Sequence, residues 1–81
     1  MILKNKNIIV LGVFEHFPEK ELLFELITRA GGKLRKSLSN NIDYIFQGTY
    51  KGEKFINDAK NYPNIKVISE QEVIKMLPKV G

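Results

Sequence analysis

Three short apolar runs, each followed by polar or glycine-rich sequence, constrain this chain more than any other feature. They read NIIVLG at residues 7–12, DYIFQ at residues 43–47 and IKVI at residues 65–68. Runs of continuous rather than alternating apolar character are typical of strands that are buried on both faces. Because helices must then cover both faces, the pattern predicts an α/β fold with a mainly parallel sheet.

The segments between these runs have helical periodicity. Pro18, Glu19 and Glu21 predict a helix start, and an apolar stripe continues to Ala30, where Gly31 is expected to end the helix. A second helix is predicted at residues 51–60, with Phe55, Ile56 and Ala59 on its apolar face.

The remaining elements complete the order β-α-β-β-α-β-α. Residues 33–35 predict a short strand, and residues 37–41 are polar turn material. The sequence Ser69-Glu70-Gln71-Glu72 predicts a capping box, in which the serine and glutamate side chains bind exposed N–H groups at the start of a last helix before Pro78. We therefore expect one small domain with a four-stranded, mainly parallel sheet flanked by three helices.

Length and composition restrict the class of protein further. At 81 residues the chain is one domain, with a core at residues 5–77, and we expect it to be a module of a larger protein. It has no Cys and a single His, which leaves no thiolate or two-histidine metal site, and we expect no cofactor. The amino-terminal apolar run is too short to cross a membrane, so we expect a domain of the cytoplasm.

The charge balance indicates the kind of partner. A formal net charge of +4 favours a polyanion such as DNA, because clustered Lys and Arg side chains attract phosphates and release their counterions. Solvated surface lysines are the simpler interpretation of any single residue in this set.

Four motifs in order resemble those of the BRCT domain, an interaction module of DNA repair and replication proteins. A hydrophobic strand ends at Gly12, RAGGKL follows the first helix, and SLSNNIDYIFQG joins a polar loop to a strand. KGEKFINDAK and IKVISEQEVIKML are similar to the family's second helix, fourth strand and third helix. The resemblance covers residues 5–77 and is nearest to the short BRCT domains of bacterial NAD-dependent DNA ligases, exonuclease-type proteins and clamp-loader large subunits.

The resemblance also implies a phosphate site. Phosphate-binding members use the N–H of the strand-end Gly, a Lys of the second helix and a Ser or Thr before the Gly. Gly12 and Lys54 match, whereas Leu11 occupies the position of the hydroxyl, so phosphopeptide binding is expected to be lost or weakened. The predicted phosphate or DNA contacts are therefore Gly12, Lys20, Lys51 and Lys54, continued along the loop by Lys33, Arg35 and Lys36.

The sequence contains no pattern typical of an enzyme. A phosphate-binding glycine loop and a nucleophile motif are both missing, and His16 is interpreted as a loop residue. Phe46 and Phe55 are expected in the core, whereas Phe14, Phe17 and Tyr50 are expected to be partly exposed near Gly12.

Two functions remain open at this point. The first is a non-catalytic module that holds a replication or repair enzyme on DNA through phosphates. The second is a protein-interaction module that docks or dimerises through an apolar helix face. This function is considered because Leu11 replaces the hydroxyl of phosphate-binding members. The two differ in salt dependence, because only phosphate contacts release counterions.

Overall fold

The computed structural model describes residues 3–49 and 53–77 of the chain. Its elements, in chain order, are β1 (Asn7–Leu11), α1 (Lys20–Arg29), β2 (Lys33–Leu34), β3 (Tyr44–Gln47), α2 (Glu53–Ala59), β4 (Lys66–Ser69) and α3 (Glu70–Met76). The predicted order β-α-β-β-α-β-α is confirmed.

The four strands form one sheet in the order β2-β1-β3-β4, and every pairing is parallel. β1 pairs with β3 from Ile8 to Leu11 but with β2 only at Asn7 and Ile8. α1 connects β1 to β2 and α2 connects β3 to β4, so both helices run back across the sheet, whereas the loop of residues 35–43 connects β2 to β3. The predicted α/β class and mainly parallel sheet are confirmed.

Successive residues of the strands face two separate hydrophobic clusters. Ile8 and Phe46 pack on one face with residues of α1 and α3, including Leu23 and Val73. Ile9 and Ile45 face the other side, where Ala59 and the half-buried Phe55 of α2 pack against them. Both faces of the sheet are thus covered, which explains why its strands read as continuous apolar runs. The core positions expected for Phe46 and Phe55 are confirmed.

The turn after α1 depends on the paired glycines. Gly31 has a φ of 92°, in the left-handed region expected of a residue that ends a helix. A Cβ on Gly32 would lie 2.7 Å from Ile27 Cγ2 and 3.0 Å from Ile8 Cδ1. The glycine pair therefore allows α1 to pack closely on β1.

Two helix starts differ from the prediction. Pro18 lies outside α1, which begins at Lys20 with Glu19 as its N-cap, because the loop after β1 pairs internally at Phe14 and Phe17 before the helix begins. Ser69 is the N-cap of α3, but its side chain makes no capping hydrogen bond. The prediction that the Ser69 side chain caps α3 in a capping box is therefore wrong.

Candidate nucleic-acid interface

The carboxyl ends of the parallel strands and the starts of the helices meet at one edge of the sheet. We call it the carboxyl edge and define it as residues 12–21, 47–49, 53–54 and 69–72. Because β1, β3 and β4 all run toward this edge, the helices that follow them begin there. In parallel α/β folds ligands bind at this edge.

Gly12 lies on the carboxyl edge directly after β1. Its φ of 80° belongs to the left-handed region, so the backbone turns away from the sheet at this point. Among the described residues, none accepts a hydrogen bond from the Gly12 N–H. Leu11 is half-buried and packs against the cluster on the α2 face of the sheet. The position of the expected hydroxyl is thus used for packing.

The loop after β1 is joined to the loop after β3. Val13 and Thr49 exchange two backbone hydrogen bonds, at 2.9 and 2.8 Å, and the Thr49 hydroxyl donates to the Val13 carbonyl at 3.1 Å. A Cβ on Gly48 would overlap the Val13 carbonyl. Gly48 therefore sets the close approach of the two loops.

Glu70 fixes the same loop to the start of α3. Its carboxylate accepts hydrogen bonds from the backbone N–H groups of Glu15 at 3.0 Å and His16 at 2.9 Å, and from His16 Nδ1 at 2.6 Å. Partial burial alone would raise the pKa of Glu70, but the bonds from the His16 ring and from the two backbone N–H groups outweigh it. The pKa of Glu70 therefore lies below its ordinary value.

Two of the predicted contacts, Lys20 and Lys54, lie on the carboxyl edge with Gly12. Lys20 begins α1, Lys54 is the second residue of α2, and both side chains are exposed. Lys51 and Tyr50 are outside the described residues. Among the described residues of this edge, glutamates outnumber these lysines; they are Glu15, Glu19, Glu21, Glu53, Glu70 and Glu72. A cleft of about 610 Å³ lies among Glu15, His16, Glu70 and Glu72.

The other predicted contacts lie away from Gly12. Lys33 is the first residue of β2 and pairs with Asn7, at the opposite end of the sheet. Arg35 Nε donates to Asn7 Oδ1 at 3.0 Å, and Lys36 follows it in an exposed loop beside β1. The predicted contacts thus form two separate groups, since parallel pairing returns the chain to the amino end of the sheet before each new strand.

Of the aromatic residues predicted near Gly12, the structure describes Phe14 and Phe17, and these two do not form an exposed stacking surface. Phe14 is only 1% exposed and packs in the core, so the expectation that it is partly exposed is wrong. Phe17 is half-buried against the same cluster. The loop folds back over the sheet because Glu70 and Thr49 hold its backbone, and Phe14 is carried inward.

Within residues 3–49 and 53–77, no group of three or more His, Cys, Asp or Glu side chains is arranged to hold a metal ion. No helix in this part of the chain has the length and apolar character that crossing a membrane would require.

The sequence matches the family described as the BRCA1 C Terminus (BRCT) domain over residues 1–77. The fold agrees, because the C-terminal BRCT domain of human XRCC1 superposes with a TM-score of 0.71 over 95% of this chain and 85% of that chain, at 16% identity. The second XRCC1 BRCT domain also gives a TM-score of 0.71, over 91% of this chain and 74% of that chain, at 14% identity. The chain belongs to the BRCT family.

Curated proteins to which the chain is similar include bacterial DNA ligases. The DNA ligase of Fusobacterium nucleatum is 36% identical over 74 residues, which is 91% of this chain and 10% of the ligase. That of Pelagibacter ubique is 35% identical over 80 residues, 99% of this chain and 12% of the ligase. The chain therefore spans about a tenth of the length of the ligases it matches.

Proposed function

We propose that this domain is a non-catalytic module of a larger DNA replication or repair protein in the bacterial cytoplasm, and that it contacts DNA phosphates. The parent protein would be an enzyme of the DNA ligase kind, with the module holding it on DNA. A terminal 5′-phosphate would bind at Gly12, with Lys54 as the cation.

The proposal rests on the position of the Gly12 backbone. Its N–H follows a parallel strand, has no acceptor among the described residues and shares an edge of the sheet with the exposed Lys54. A backbone N–H and one ammonium group suit a single phosphate, and neither reads a base. The similarity to DNA ligases supports DNA as the source of that phosphate.

The test is a titration of the domain into a fluorescent duplex with a 5′-phosphate and into the same duplex with a 5′-hydroxyl. Wild-type protein should prefer the phosphorylated duplex roughly tenfold, as expected for one charge-assisted hydrogen bond. Lys54→Ala should remove most of that preference.

Lys75→Ala is the matched control, because it removes the same charge from an exposed position of α3. It should change the affinity for both duplexes by the same factor and leave the preference intact. Equal binding of the two duplexes by wild-type protein would contradict a phosphate site at Gly12.

A second candidate function is protein docking, which the exposed apolar residues favour. Leu22 on α1 is 40% exposed and Val13 is 53% exposed. A groove of about 290 Å³ runs beside β1, lined by apolar residues that include Val10, Leu11, Phe24 and Leu34, and also by Arg35 and Lys36. A partner bound there would bury apolar area, so its affinity would change little with salt.

Sedimentation of the domain over a range of concentrations separates this candidate from the first. Self-association that Leu22→Glu abolishes, together with no measurable duplex binding, would favour docking over DNA binding.

A further inference from the structure

Most of the cationic residues that the structure describes lie at the edge opposite Gly12. We call this the amino edge and define it as residues 4–7, 29–36, 41–43 and 58–66, where β1, β2, β3 and β4 begin and α1 and α2 end. Its cationic residues are Lys4, Lys6, Arg29, Lys33, Arg35, Lys36, Lys60 and Lys66. Cationic residues therefore outnumber carboxylates on the amino edge, whereas carboxylates outnumber cationic residues on the carboxyl edge.

Few carboxylates offset this charge. Glu25 pairs with Arg29 at 2.6 Å, which removes Arg29 from the cations free to meet a partner. Asp43 accepts a hydrogen bond from the Asn7 N–H at 2.8 Å, and Asp58 lies in the last turn of α2. The remaining lysines and Arg35 still outnumber the carboxylates of this edge.

The two edges act as separate electrostatic surfaces. β1 has five residues and is therefore about 16 Å long. The Debye length at 0.1 M salt is about 10 Å. Charges on the carboxyl edge are thus largely screened from a ligand at the amino edge, and the net charge of the whole domain says little about either surface.

Arg35 is held in place at the amino edge. Its Nε donates to Asn7 Oδ1, while Asn7 Nδ2 donates to the Asn41 carbonyl at 2.9 Å. These bonds close the loop of residues 35–41 onto the start of β1, around a shallow cleft of about 390 Å³. A guanidinium held through Nε keeps its terminal N–H groups for an anion and loses less rotamer freedom on binding.

We propose that the amino edge is a second DNA-contacting surface, which binds the phosphate backbone of a duplex through Lys33, Arg35 and Lys66. The inference rests on the proposed function only in taking DNA as the partner. It assigns most of the duplex affinity to an edge that does not contain Gly12 or Lys54.

The spacing and chemistry of this surface suit a duplex better than a protein. Lys33 and Lys66 begin the two outermost strands, three strand spacings or about 14 Å apart. Lys33 is in register with Asn7 and Lys66 with Ile8 through Tyr44, so the two side chains leave opposite faces of the sheet. The major groove of DNA is about 12 Å wide, and side chains that diverge in this way can contact phosphates on its two sides. Protein interfaces are instead depleted of Lys and have an apolar centre.

Two charge-matched double variants test the inference. Lys33→Glu with Lys66→Glu and Lys20→Glu with Lys54→Glu each take the formal net charge from +4 to zero, and all four side chains are exposed. Binding to duplexes with 5′-hydroxyl and 5′-phosphate ends is measured from low to moderate salt. The neutral pair Lys33→Gln with Lys66→Gln and a thermal melt verify that any loss is not unfolding.

The amino-edge variant should bind both duplexes at least about tenfold more weakly, and the slope of log affinity against log salt should become about 1.8 less steep, for two lost contacts. The carboxyl-edge variant should lose only the preference for a 5′-phosphate. The inference is overturned, with the proposed function intact, if the carboxyl-edge variant alone loses affinity for both duplexes. Absence of wild-type binding even at low salt would overturn both.

Discussion

The two edges of the sheet differ in how they are built. The carboxyl edge is held by long-range contacts, in which Gly48, Thr49 and Glu70 fix the loop after β1. The backbone of the amino edge is also held by hydrogen bonds, but among the described residues its lysine side chains make no hydrogen bond or ion pair, and the side-chain bonds there lie around Asn7 and Arg35. The difference indicates that changes at the carboxyl edge should mainly cost stability, whereas changes at the amino edge should mainly cost binding.

The largest effect on stability is expected at Gly48. The Gly48→Ala substitution places a methyl group against the Val13 carbonyl. The overlap can be removed only if the loop after β1 and the loop after β3 move apart. We expect the free energy of unfolding to fall by about 3 kcal/mol, measured by urea denaturation. Gly12→Ala is the comparison, since Gly12 has a φ of 80° and an alanine there strains one left-handed residue, which should cost about 1 kcal/mol. Equal costs for the two variants would show that the loops are not closely fixed.

A smaller effect that depends on pH is expected at Glu70. Its pKa is lower in the folded protein than the ordinary 4.5, so the unfolded chain binds more protons near that pH. The stability that Glu70 contributes is therefore present above pH 4.5 and is lost as the pH falls through the folded pKa. The Glu70→Gln substitution should reduce stability at neutral pH by about 1 kcal/mol and flatten the pH dependence below 4.5.

Glu72→Gln is the control for this prediction, because it removes an exposed carboxylate from the same turn of α3. Thermal melts of the three proteins between pH 3 and 7 distinguish them. If Glu70→Gln and Glu72→Gln have the same profile, the bonds to the loop after β1 contribute nothing to stability.

The smallest effect on stability, coupled to an effect on binding, is expected at Asn7. The Asn7→Ala substitution removes the bonds to Asn41 and Arg35, both exposed, and should cost less than about 1 kcal/mol. Because Arg35 is then free to move, duplex affinity should fall about threefold, which fluorescence anisotropy can measure. Asn40→Ala, in the same exposed loop, should change neither quantity. Undiminished DNA binding by Asn7→Ala would remove Arg35 from the contact surface.

Most of the fold could be predicted because its signals are local. The apolar runs, the paired glycines and the apolar stripe of α1 each act within a few residues of their position. The predicted capping contacts of Ser69 and Glu72 are absent, and the neighbouring Glu70 instead binds a loop 55 residues away in sequence. No local sequence pattern predicts a contact between residues so far apart in the chain. The same contact holds the loop after β1 against the sheet, which explains why Phe14 is buried.

The residues of the candidate site stay a prediction, and the sequence did not indicate how the fold would arrange them. Gly12 and Lys54 lie on the same edge of the sheet, as expected, whereas Lys33 and Arg35 lie at the opposite edge. The two groups of cationic residues are separated because β1 and β2 pair in parallel, and the positions of the lysines and arginines in the sequence do not show that pairing. The excess of glutamates on the edge that contains Gly12 likewise depends on the fold, which brings together six glutamates from the loop after β1, α1, α2 and α3.

A ¹H–¹⁵N correlation spectrum of the domain, recorded while a duplex with 5′-hydroxyl ends is added, would show which edge of the sheet binds the duplex. We predict that the backbone amides of the amino edge shift most, with Lys33, Arg35 and Lys66 at the centre, and that Gly12 shifts only when the ends carry a 5′-phosphate. Shifts confined to Gly12, Lys20 and Lys54 with either duplex would contradict the assignment of duplex binding to the amino edge.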